Sequence, residues 1–502
     1  MLSQWLALDP PECKRAPSGS RPAYSAAVPG DDARTTRQRR RVVLVTLASA
    51  TVTAALVLMP TVGPTAPAAA RPAPVATSET DVPLQQEGVA LAPDGSLVEL
   101  PTGSDVTLLP GTRVIDPVAR DVAAVLRGDA AVGGSPAAQR LADEQRRWLA
   151  SGSVPGAGGP YEDMARTALL DLHTLTLDGG ATVAGWSSYW RYVWPRDASF
   201  VAVALARTGH ARDGLAVLDF LASVQEPDGT FEARYLPDGS GPPDDRGRQL
   251  DGGGWVMWAS GLVLERLPAG AQREAAAQQL VPLVTAAADG VLAQLDADGL
   301  PPASPDFWER DEDDLTLGTV APIVAGLEQA AVVLRTAGEQ APSDEPRTGT
   351  RADELAQAAA DLRTAAVRRF APVGWTRYAE GGSHDAASAF VLAPFWSRAP
   401  QGGRQAWEQS VTAMRRPAGL APAGAWRDDG IAWTPQTSLY AWVAAENGDD
   451  DAALAWLATI DAHRTTTGAI PEKVLADGRP AAVAPLTWSA ANVLLALDAL
   501  EG

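Results

Sequence analysis

From about residue 117 onward, Ala, Leu and Val recur at three-to-four spacing in long segments separated by Gly, Pro and Asp. That period belongs to helices with one face turned to a core. Beyond a helical preamble reaching to residue 150, the pattern predicts twelve helices. They lie near 161–176, 197–208, 211–224, 253–266, 271–294, 316–337, 351–369, 384–396, 402–415, 435–447, 449–463 and 487–500. Several neighbours are joined by very short turns, at His210 and at Gly448 for example, which makes them antiparallel pairs. Six such pairs predict an all-α fold, an (α/α)6 six-hairpin barrel over residues 151–502. Ahead of it, within 84–150, three apolar runs (88–91, 96–100 and 105–109) are broken by Gly, Pro and Asp and predict a few short strands.

The N-terminal part has another pattern. Residues 42–59 form an uncharged run after Arg37, Arg39, Arg40 and Arg41. As a helix of about 1.5 Å per residue it would reach about 27 Å, near the length needed to span a bilayer. The expected arrangement is a cytoplasmic basic leader (1–41), a transmembrane or signal segment (42–59) and a Pro/Ala-rich linker (60–83). Ala68-Ala69-Ala70 fits a signal-peptidase site. The catalytic part is therefore expected outside the cytoplasmic membrane, anchored or secreted.

The charge is unevenly placed along the chain. The formal charge is −20. Residues 1–41 hold eight basic and four acidic side chains, +4, so the remainder carries −24. Such a surface repels phosphate backbones and disfavours nucleic acid as a partner. The single cysteine, Cys13, lies in the leader, which excludes disulfides and thiolate chemistry from the rest. The four histidines are never closer than the 37 residues between His173 and His210, so no metal-binding spacing is present.

The loops carry the candidate chemistry. Long Trp- and Gly-rich loops at 177–196, 225–252, 295–315, 370–383, 416–434 and 464–486 follow roughly every second helix, and would gather on one face of a closed ring. Tryptophans there offer flat apolar faces that suit the C–H faces of sugars, or simply pack beneath the loops. Trp190-Arg191-Tyr192-Val193-Trp194-Pro195-Arg196-Asp197 opens a helix. Asp197 fits a helix cap, but an arginine beside an aspartate can also grip vicinal hydroxyls. In Asp306-Phe307-Trp308-Glu309-Arg310, Glu309 follows two aromatic residues and precedes an acidic run. A carboxyl held against rings and other carboxylates suits a general acid. Glu472, in Pro471-Glu472-Lys473, reads on its own as an exposed charge, but lies on the same predicted rim. Asp251, in Gln249-Leu250-Asp251-Gly252, reads as another helix cap.

These segments, together with Pro485-Leu486-Thr487-Trp488-Ser489-Ala490, resemble in order the motifs of glycoside hydrolase family 15, the glucoamylase-like family, in a bacterial member. The resemblance covers roughly 160–500. It implies an (α/α)6 barrel that hydrolyses α-glucosidic bonds at non-reducing ends with inversion, without metal or cofactor. By position, Glu309 would be the general acid and Glu472 the general base. Arg196 and Asp197 would hold the terminal glucose, and Trp190, Tyr192 and Trp194 would wall it. Asp251, Trp308, Arg310 and Trp488 complete the expected substrate contacts. Where fungal glucoamylases follow the acid with a second Glu, this chain has Arg310, which bears on the leaving-group side. The implied substrate is an α-linked glucan or glucoside of the starch, dextran or trehalose kind. The rival readings are a catalytically inactive carbohydrate-binding surface protein and another α/α-barrel polysaccharide-degrading enzyme.

Overall fold

The computed structural model describes residues 82–104, 106–116, 135–338 and 348–502. The basic leader, the apolar run 42–59 and all but the last two residues of the linker lie outside them, as does most of the preamble between 117 and 134.

Twelve α-helices are described: α1 Pro136–Ser151, α2 Glu162–Leu175, α3 Pro195–Arg207, α4 Ala211–Val224, α5 Asp251–Glu265, α6 Ala271–Leu292, α7 Leu317–Gly338, α8 Thr348–Phe370, α9 Gly403–Met414, α10 Thr434–Glu446, α11 Asp450–Ala462 and α12 Thr487–Glu501. A short 3-10 segment, Ala386–Val391, stands between α8 and α9. The inner ring runs α3, α5, α7, the 3-10 segment, α10 and α12, each packed on the next, and α12 closes on α3. Helices α2, α4, α6, α8, α9 and α11 lie outside, packed on α12, α3, α5 with α7, α7, the 3-10 segment and α10 respectively. The double ring is the six-hairpin architecture that the sequence implied.

Burial separates the two rings. In α3 every residue from Pro195 to Ala206 is buried, and the same holds for Thr434–Ala445 of α10 and Thr487–Leu497 of α12. Helices enclosed on all sides need no polar stripe. Outer α4 instead buries Gly214, Val217, Leu218, Leu221 and Val224 on one face. Helices α6 and α7 are long and apolar enough to cross a membrane, but both belong to the double ring. Where α5 crosses α7, Gly254 lies so close to Pro322 that a Cβ would meet its backbone at 2.6 Å, so no larger residue fits that approach. The axis is filled by aromatic rings: Phe200 lies 5.6 Å from Trp488 and 5.9 Å from Trp442, with Trp255, Trp258 and Phe395 around them.

Two expectations are corrected. Residues 384–396 do not form an α-helix. Asp385 caps the 3-10 segment through the Ala387 N–H, and the chain then turns at 392–396, where Leu392 C=O accepts from the Phe395 and Trp396 N–H groups across Pro394. A proline there cannot continue a helix. Of the three apolar runs ahead of the barrel, Gly88–Leu91 (β1) and Leu97–Leu100 (β2) pair as an antiparallel hairpin with Gly88 opposite Leu100. The third makes only an isolated bridge, Leu108 to Ile115. The hairpin packs on α2.

Small strands also form in the long loops. Arg415–Arg416 (β3) pairs with Gly419–Leu420 (β4), and Ala432–Trp433 (β5), Lys473–Val474 (β6) and Pro480–Ala481 (β7) make a three-stranded sheet. Its register sets Trp433 opposite Lys473.

Candidate active site

Five inner helices and the 3-10 segment all begin where a long loop ends, so the loops 176–194, 225–250, 293–316, 371–385, 415–433 and 463–486 open at the N-terminal ends of the inner ring. The chain enters α3 through extended Trp194 into Pro195 at the first helical position, whose fixed φ suits a helix start. Asp197 therefore sits inside the first turn, and no side chain caps this helix. Asp251 is likewise the first residue of α5 and caps nothing. It accepts from the Trp255 indole at 3.0 Å. The cap readings of both aspartates fail, although both are buried.

Arg196 Nη2 lies 2.8 Å from Asp197 Oδ2 and 3.6 Å from Glu309 Oε1, and the guanidinium rests over the Trp488 ring at 4.6 Å. Its Nε and Nη1 are buried without a hydrogen-bond partner, as are the indole nitrogens of Trp194 and Trp488 and Oδ1 of Asp251. Buried polar groups are nearly always satisfied. A cluster of orphaned donors and acceptors at one loop face is where a polyhydroxyl ligand can complete them. Burial pushes the Asp197 carboxyl up, with Arg196 opposing. Burial also carries Asp251 to about 7, against the pull of Arg196 and with Asp306 and Glu309 adding to the rise.

Glu472 comes from the loop that leads to β6. Its N–H donates to Val483 C=O at 2.8 Å and its own carbonyl accepts from Thr434 N–H at 2.9 Å. The side chain is buried, 5% exposed, rather than the solvated charge its sequence context implied. Burial raises its pKa; Lys473, 3.8 Å from Oε2, and a hydrogen bond from Trp190 oppose the rise, while the charges of Glu309 and Asp197 add to it. The two glutamates thus feel each other within one cluster.

Glu309 ends a turn in which its N–H donates to Asp306 C=O at 2.7 Å, and its φ of 52° is left-handed, uncommon for a residue with a Cβ. The rings of the preceding Phe307 and Trp308 have aromatic partners of their own. The Phe307 ring meets Phe390 and the Trp308 ring meets Trp426. The Glu309 carboxyl faces two guanidinium groups, Arg196 at Oε1 and Arg246 at Oε2. Arg246, in the loop 225–250, escaped the sequence reading because its partner lies 63 residues away.

A second buried arginine underpins this turn. Arg377 Nη2 bonds Asp306 (3.0 Å) and Glu312 (2.7 Å), Nη1 bonds Asp385 (2.7 Å), and the guanidinium covers the Trp308 ring at 3.8 Å. Asp306 also accepts from Thr316 and from the Trp308 N–H. Arg310 is taken up locally by Glu312 and the Tyr378 hydroxyl, both at 2.9 Å. From Trp308 an aromatic arc runs edge-to-face through Trp426 (4.8 Å) and Trp433 (5.7 Å) to Lys473, 4.1 Å above Trp433. It links the loop of Glu309 to that of Glu472. Trp190, Tyr192 and Trp194 form the other flank with Val483 and Leu486, and Arg234 stacks on Tyr192 at 4.3 Å. Among the described residues no group of His, Cys, Asp and Glu side chains could hold a metal ion.

No protein-family model matches the chain, and no curated protein matches its sequence. Solved structures do match it. A glycosidase in complex with glucose aligns over 68% of this chain and 96% of its own, with TM-score 0.57 and 21% identity. A bacterial glucoamylase complexed with acarbose aligns over 76% of this chain and 61% of its own, with TM-score 0.58 and 16% identity. The glucoamylase from Saccharomycopsis fibuligera aligns over 68% and 94%, with TM-score 0.52 and 13% identity. The chain shares the fold of these glycosidases and glucoamylases.

Proposed function

We propose that the chain is an inverting glycoside hydrolase that releases glucose from the non-reducing ends of α-glucans or α-glucosides. The observation that carries this is the half-satisfied Arg196, buried against Asp197 and Glu309, with a buried Glu472 near enough for the Glu309 charge to raise its pKa. Glu309 would give its proton to the glycosidic oxygen as the C–O bond breaks, and Glu472 would take a proton from the water that attacks the opposite face. Asp197 and the free nitrogens of Arg196 would hold hydroxyls of the terminal sugar, with Trp488 beneath. The reaction needs no metal. The solved relative bound to acarbose supports an oligosaccharide as the substrate class.

A base must be ionised, and the Glu472 pKa is raised by burial. Activity should therefore fall as pH drops through a value above that of an ordinary glutamate. Inversion requires room for water, with carboxyls roughly 6.5–9.5 Å apart. The test is glucose release from maltose, isomaltose, trehalose and soluble starch, with proton NMR of the first product. β-Glucose is expected; initial α-glucose would make the enzyme a retaining one and displace Glu472 from its role. We also propose that the barrel acts outside the cytoplasmic membrane, as the basic leader and apolar run imply. Protease added to intact cells should digest or release it, and protection until lysis would refute this.

A further inference from the structure

The glycosidase reading leaves Arg246 without a part. Its Nη1 pairs with Glu309 Oε2, while its Nε and Nη2 both lie 3.2 Å from Asp244. Asp244 is in turn held by Arg234, which lies against Tyr192 and Trp194 on the aromatic flank. The segment that delivers Arg246 is Leu236-Pro237-Asp238-Gly239-Ser240-Gly241-Pro242-Pro243-Asp244-Asp245-Arg246, with Gly239 and Gly241 at φ +72° and +125°. It is a strap joined to the site by its last residue, Arg246, and pinned at Asp244.

The two arginines on Glu309 differ in depth. Arg196, on Oε1, is 7% exposed, whereas Arg246, on Oε2, is 33% exposed. Oε1 therefore faces the enclosed side, where Arg196 and Asp197 are placed for the terminal sugar, and Oε2 faces outward, where the leaving group must depart. A Glu309 oxygen already accepting from Arg246 is not free to meet a glycosidic oxygen. Substrate entry must lift Nη1 off Glu309, and the tether to Asp244 keeps the displaced guanidinium beside the leaving group.

We infer that Arg246 is a specificity-determining residue of the leaving-group side: it pairs with Glu309 and transfers its Nη1 donors to hydroxyls of the departing sugar when substrate binds. The inference rests on the glycosidase reading, and selects for leaving groups that carry hydroxyls near the scissile bond. Arg310, which the sequence marked for this side, is occupied by Glu312 and Tyr378.

The test compares full-length wild type, Arg246→Ala and Arg246→Lys on the disaccharide that wild type cleaves best and on α-glucosyl fluoride, whose leaving group is too small to reach the strap. Loss of a charged hydrogen-bond donor should lower kcat/KM for the disaccharide about 10–100-fold in Arg246→Ala, mainly through KM. The loss on the fluoride should be at least about tenfold smaller, with partial recovery in Arg246→Lys. Equal losses on both substrates would make Arg246 merely structural, and undiminished disaccharide cleavage would free it of any role; either result overturns the inference while the glycosidase reading stands. A wild type that cleaves no α-glucoside, the fluoride included, overturns that reading and the inference with it.

Discussion

Two buried arginines rest on two tryptophans at the same end of the ring, and they end differently. Arg377 is met by three carboxylates through both terminal nitrogens, with Trp308 3.8 Å beneath it. Arg196 has Asp197 at 2.8 Å, Glu309 at the longer 3.6 Å, and two nitrogens that meet nothing. The first guanidinium is nearly saturated, with only Nε left over, and holds the 306–312 turn in shape. The second is left open by the protein. A buried charge is tolerated when its partners are complete, so the filled arginine acts as scaffold and the open one is, on the proposed function, the ligand side. Residue type and burial alone would not have told them apart.

The largest effect expected is on turnover. Glu309→Gln and Glu472→Gln should each lower the rate roughly 10²–10⁴-fold, with melting unchanged by calorimetry; full activity in either removes that residue from the mechanism. Next, Arg377→Met should cost about 3–5 kcal/mol by stranding Asp306, Glu312 and Asp385, measured as a fall in chemical-denaturation midpoint. Asp197→Asn should do the reverse, weakening glucose or acarbose binding about 10–100-fold in calorimetric titration while melting barely moves. If both variants melt alike, the division into filled and open arginines collapses. The smallest effect is a pH dependence. Asp251, carried to about 7 in the fold, holds its proton more tightly folded than unfolded. Its contribution is complete below the ordinary aspartate value and is lost as pH rises through about 7. Asp251→Asn should therefore stabilise the protein at pH 8 relative to pH 5, by on the order of 1 kcal/mol. Equal shifts at both pH values would mean that Asp251 is ionised throughout.

Local signals carried the helices well. The two-residue punctuation at Gly209-His210 and the Trp194-Pro195 entry mark α3 and α4 in the chain itself. The apolar run at 384–396 misled because burial on every side looks alike in an inner helix and in a 3-10 turn, and only the Asp385 cap and Pro394 decide between them. Of the site, the motif residues Arg196, Asp197, Glu309 and Glu472 could be read as candidates, but their surroundings could not. The cation above Glu309 arrives from a loop whose Gly, Pro and Asp content signals only turns, and Arg377 finds Asp306 across 71 residues. Such pairings are products of the ring and have no local period.

The closing of α12 onto α3 also has a kinetic meaning. Thr487 hydrogen-bonds Val183 across a separation of 304 residues, and Trp488 brings its ring under Arg196 in the same step. Contacts so remote in sequence are slow to form, because the loop entropy is lost before they return anything. The ring can be assembled hairpin by hairpin, yet the Arg196–Trp488 cluster cannot exist until the last hairpin meets the first. A folding intermediate lacking α12 would have helical content and a partial core but no Trp488 floor, so recovery of ligand binding should lag recovery of circular dichroism during refolding. The site then reports completion of the whole circle, not of any one of its arcs.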